Sequence, residues 1–60
     1  MNLYRARYEW PDGRKSNITF ASRRINALGF AADYVRIFVK GYLLELVEER
    51  ALEWELELHG

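Results

Sequence analysis

Sixty residues and no cysteine describe a single small domain, residues 1–60, that disulfides cannot staple, and its net charge of zero hides an asymmetry along the chain. A chain this short buries only about 60% of the surface its unfolded form exposes. His59, the sole histidine, leaves neither a metal-ligand set nor a Ser–His pair, so no metal, no cofactor and no enzymatic activity are expected. No apolar run reaches the ~18 residues of a membrane span, and Met1-Asn2-Leu3-Tyr4-Arg5 lacks the apolar core of a signal peptide, which makes a cytoplasmic protein without membrane contact the expectation.

Residues 2–10 alternate: Tyr4, Ala6, Tyr8 and Trp10 point one way and Arg5, Arg7 and Glu9 the other, the period of a half-buried strand. Pro11-Asp12-Gly13 breaks the pattern with turn chemistry. Residues 14–21 resume it, with Ile18 and Phe20 on one face and Asn17 and Thr19 on the other, so the first third predicts a β-hairpin.

Ser22 fits an N-cap, and residues 23–40 hold no proline and one internal glycine before Gly41, the expected C-cap. Ile25, Leu28, Ala32, Val35 and Val39 recur at helical spacing and form the expected core stripe. At about 100° per residue, Phe30, Tyr34 and Ile37 then fall almost opposite that stripe, with Ala27, Ala31 and Phe38 between. A helix covering one sheet does not need so wide an apolar arc, so Phe30, Tyr34 and Ile37 are candidate interface residues for a second copy or another protein. The alternative is that the C-terminal segment wraps around and buries them.

The last third reads two ways. Leu52, Trp54, Leu56 and Leu58 alternate with Glu53, Glu55 and Glu57 as a strand would, yet Leu44, Val47, Ala51, Trp54 and Leu58 fit helical spacing. A helix would stack Glu45, Glu49, Glu53 and Glu57 in one like-charged row. Two strands, 42–48 and 51–58, are therefore expected, although Glu48-Glu49-Arg50 holds no turn residue. The predicted fold is α+β: ββαββ, with one helix packed on an antiparallel sheet.

Charge is divided along the chain. Residues 1–40 carry eight Lys/Arg against Glu9, Asp12 and Asp33, whereas residues 41–60 carry Arg50 against six glutamates. The two halves either neutralise each other across the sheet or form a bipolar surface that steers a charged partner. Arg5, Arg7, Arg14, Lys15, Arg23 and Arg24 cluster around the hairpin and the helix start, and are the candidate phosphate contacts of a nucleic-acid-binding alternative. Glu53, Glu55 and Glu57 are candidate interface residues able to mimic phosphates, or simply a solvated strand face.

The order Tyr-Arg-Ala-Arg-Tyr-Glu-Trp, Pro-Asp-Gly, Ile-Thr-Phe-Ala-Ser, an amphipathic helix, then Gly-Tyr-Leu-Leu-Glu-Leu resembles that of very small phage and mobile-element proteins, anti-CRISPR proteins among them. The resemblance is one of architecture and size across most of the chain. It implies an inhibitor or adaptor that works by steric and electrostatic blocking, as anti-CRISPR proteins do on a host nucleoprotein complex, and it assigns no functional residue.

Overall fold

The computed structural model describes residues 1–51. Within them the order is ββαβ: β1 (Asn2–Glu9), β2 (Lys15–Ser22), α1 (Arg24–Tyr34) continued by a π-helical turn (Val35–Val39), and β3 (Tyr42–Ala51). The strands form one antiparallel sheet in the order β2-β1-β3. β1 is central because its alternation gives it a face to bury, and Tyr4, Ala6 and Tyr8 are all buried beneath the helix.

The hairpin forms as the sequence predicts, in the register Glu9↔Lys15 to Asn2↔Ser22. Gly13 takes φ 93° and donates its N–H to the Trp10 carbonyl (2.9 Å), while the Trp10 N–H donates to the Arg14 carbonyl (2.7 Å). This is a three-residue loop closed by a left-handed glycine. Asp12 secures it by accepting from the Arg14 backbone N–H at 3.0 Å.

The helix forms but differs from expectation at both ends and in its buried face. Ser22 belongs to β2 and its hydroxyl donates to the Arg23 carbonyl (2.9 Å), so the N-cap is Arg23, with no side-chain cap. The left-handed C-terminal residue is Lys40 (φ 59°) rather than Gly41. Gly41 instead lets β1 come close, since a Cβ there would lie 1.8 Å from the Glu9 carbonyl oxygen. The buried stripe is Ala27, Ala31, Val35 and Val39, whereas Ile25 (88% exposed), Leu28 (61%) and Ala32 face solvent. The reason is volume. The sheet supplies the bulk through Tyr4 and Tyr8, and small alanines let the helix backbone come close, filling the space between the layers.

An i,i+4 stripe drifts about 40° per step on an ideal helix. The wider turn, in which the Lys40 N–H donates to the Val35 carbonyl five residues back (2.6 Å), counters that drift and keeps Val39 over the core with Val35 and Tyr8.

The expected pair of C-terminal strands is corrected. No turn forms at Glu49-Arg50, and a single strand runs from Tyr42 to Ala51. Its pairing with β1 shifts register twice, between Leu3 and Tyr4 and between Arg7 and Tyr8, leaving Leu44 and Glu49 as bulged residues. The described chain is thus a three-stranded ββαβ rather than ββαββ; the rest of the second expected strand, including Trp54, lies outside the described residues.

Candidate functional site

The helix flank over β2 carries a group of exposed aromatic and aliphatic side chains. Phe30 and Tyr34 follow Ala27 and Ala31 by three residues, so they flank the buried stripe instead of lying opposite it. Phe30 packs on Phe20 of β2, with ring centroids 4.5 Å apart, and Tyr34 meets Tyr8 edge-on at 5.8 Å. Tyr34 in turn touches Phe38 at 5.5 Å. Tyr34 is therefore half-buried, while Phe30 (47% exposed), Ile37 (50%) and Phe38 (71%) stay largely in water. Sequence reasoning placed Phe38 in the flank and missed it as the most exposed aromatic of the helix. Among the described residues the large buried side chains are Tyr4 and Tyr8, so this display coexists with a small core.

The six candidate cations separate. Arg5, Arg7 and Lys15 share the open face of the sheet, where with Ser16, Asn17 and Glu45 they line a shallow depression of about 360 Å³. Arg14 sits at the hairpin tip, 2.7 Å from Asp12 and over the Trp10 ring at 5.6 Å. Arg23 and Arg24 lie at the other end of β2. Most are already engaged: Arg5 with Glu49 (3.1 Å), Lys15 with Glu9 (3.9 Å) and Arg24 with Glu48 (3.1 Å). Glu48 and Glu49 come from the acidic half of the chain, so the charge division is resolved at these points by neutralisation between β3 and its neighbours.

Glu48 is the most connected polar group. It accepts from Arg24, from the Tyr4 hydroxyl (3.3 Å) and from the Asn2 side-chain amide. The Arg24 hydrogen bond holds its carboxyl below the usual glutamate range and raises the Arg24 guanidinium in turn. The arrangement joins β1, β3 and the first helical turn, which accounts for a basic residue at the positive end of a helix dipole. Asp12 is also held low, chiefly by the Arg14 backbone N–H. Burial, with Tyr34 beside it, raises the Tyr8 hydroxyl.

The side-chain hydroxyls on β2 serve local structure or face outward. Ser16 accepts from the Trp10 indole (3.1 Å), and Thr19 is exposed. Glu53, Glu55 and Glu57 lie outside the described residues. Among those described, no group of three His, Asp or Glu residues is placed to hold a metal ion, and no helix is long and apolar enough to cross a membrane. No family model, no curated protein and no solved structure matches the chain.

Proposed function

We propose that the chain is a non-enzymatic protein-binding module that engages its partner through the helix flank formed by Phe30, Tyr34, Ile37 and Phe38. The observation that carries this reading is the exposure of Phe30, Ile37 and Phe38 in a chain whose described core is small, with Tyr4 and Tyr8 buried alongside two valines and three alanines. Full burial of a fully exposed group of this kind is worth about 1.5–3 kcal/mol, and these roughly half- to two-thirds-exposed groups leave a corresponding share of that to be gained by a partner. Contiguous exposed apolar groups on small proteins mark interaction surfaces. The resemblance to small phage proteins extends the reading to an inhibitor of a host nucleoprotein complex, and that extension rests on the resemblance alone.

The test is partner capture from the source cells by the wild-type chain and by Ile37→Glu/Phe38→Glu. Both changes are at exposed positions, so the melting temperature should hold. A specific partner retained by wild type and lost by the variant supports the reading. Undiminished capture by the folded variant removes the flank from consideration.

A further inference from the structure

The two edges of the sheet are built differently. β3 carries two bulges and the charged residues Glu45, Glu48, Glu49 and Arg50, the devices that keep an edge strand from pairing with another chain. β2 has no bulge, and its one charged residue, Lys15, stands at its first position. Between Lys15 and Arg23 it reads Ser-Asn-Ile-Thr-Phe-Ala-Ser, with no charge, no proline and unbroken register against β1. The helix packs over β1 and β3, so the inner face of β2, Ile18 and Phe20, is only half covered.

We infer that β2 pairs antiparallel with β2 of a second copy of this chain about a two-fold axis, giving a continuous six-stranded sheet. This goes beyond the helix-flank reading and uses a different surface.

The hydrogen-bond pattern defines the geometry. The Trp10 N–H donates to the Arg14 carbonyl while Gly13 takes the return bond, so positions 10 and 14 close the hydrogen-bonded end of the ladder, and in an antiparallel ladder hydrogen-bonded positions recur every second residue. Ser16, Ile18, Phe20 and Ser22 therefore bond to β1, while Lys15, Asn17, Thr19 and Ala21 direct their N–H and C=O groups to the open edge. Matching faces across the axis allows Thr19 to lie on it, opposite its own copy. Asn17 then pairs with Ala21 of the second copy, and Ile18 stands opposite Phe20 twice over.

Those Ile–Phe pairs are the non-hydrogen-bonded kind, in which side chains sit closest, and they join a β-branched residue to an aromatic one. The one opposed like-charge pair, Lys15 with Arg23 of the copy, falls at the solvated ends, where Lys15 already has Glu9 at 3.9 Å. Strands spaced about 4.8 Å put helices centred between β1 and β3 about 19 Å apart, so they do not collide. The trough between them is floored by Ile18 and Phe20 and walled by Phe30, which leaves the helix flank open to a further protein.

The experiment uses the absence of cysteine. Paired Cα atoms of a hydrogen-bonded antiparallel pair lie about 5.5 Å apart, within disulfide range. Full-length Thr19→Cys should oxidise in air to a disulfide-linked dimer with its circular dichroism unchanged, whereas Asn17→Cys should remain unlinked. Wild type should sediment as a dimer at micromolar concentration. Thr19→Pro, which removes an outward N–H, should sediment as a folded monomer. A monomeric wild type overturns the inference, as does equal cross-linking of the two cysteine variants. A dimer that survives Thr19→Pro but is lost in Ile37→Glu/Phe38→Glu overturns it too, and would place self-association on the helix flank.

Discussion

Gly41 and Lys40 are adjacent residues with opposite fits to their backbone. A methyl group on Gly41 would overlap the Glu9 carbonyl at 1.8 Å, and the carbonyl belongs to the central strand, so it cannot swing aside. Gly41→Ala should lower stability by about 1–3 kcal/mol, the usual cost of overpacking, as read from urea denaturation midpoints. Lys40 holds φ 59° with a side chain that disfavours it. Relief of about 1–2 kcal/mol, offset by about 0.4–1 kcal/mol of added unfolded-state entropy, should leave Lys40→Gly more stable by up to about 1.6 kcal/mol. If both glycine substitutions act with the same sign, the assignment of the two positions is wrong.

Glu48 makes a pH prediction at the same scale. Its folded carboxyl lies below the ordinary value, so the stability its bonds contribute is complete above the unfolded glutamate range, near about pH 4.3, and drains away as pH falls through it to the lowered folded value. Wild type should exceed Glu48→Gln in melting temperature at neutral pH. The difference should shrink on acidification through that range. A pH-independent difference would mean that the side chain acts by shape rather than charge.

Among the elements, the helix shows what a pattern can and cannot reveal. Its existence is legible in residues 23–40, but its buried face is not, because periodicity ranks Ile25 and Leu28 above Ala27 and Ala31. Only the height of Tyr4 and Tyr8 on the opposing sheet makes alanine the fitting partner. Ala31→Leu should therefore cost about 1–3 kcal/mol, and Leu28→Lys should change stability by no more than about 0.5 kcal/mol, both measurable by thermal melts. Strand β3 teaches the same lesson. The doublets Leu43-Leu44 and Glu48-Glu49 disturb its alternation, which suggests a break, yet each disturbance is absorbed as a bulge against β1. Bulges depend on a partner strand, so no local rule separates them from the end of a strand. The hairpin was legible because Pro11-Asp12-Gly13 specifies its own turn. The helix flank was legible as an excess of apolar residues, though not as a surface bordering β2.

At the scale of the whole molecule, the question is whether six cations near one hairpin amount to a nucleic-acid surface. Affinity for a polyanion grows with the number of phosphates neutralised, and log K falls with log salt at a slope of about −0.9 per contact on duplex DNA. Six free cations on one face would give a slope of about −5. The fold does not present them so: Arg5, Arg14, Lys15 and Arg24 each have a carboxylate within 4 Å, and of the six only Arg7 and Arg23 have no ion pair to a described residue. Arg23 sits at the helix start and Arg7 on the open sheet face beside Glu45, so the two do not form one track. Exposed ion pairs contribute only about 0–1 kcal/mol to folding, yet each still occupies a cation that a phosphate would have to win from its partner. Fluorescence titration of the chain with bulk duplex DNA across a salt series should therefore give weak binding with a slope no steeper than about −2. A slope near −5 would show that phosphates displace Glu49, Asp12, Glu9 and Glu48 together, and would move the function from the helix flank to the hairpin.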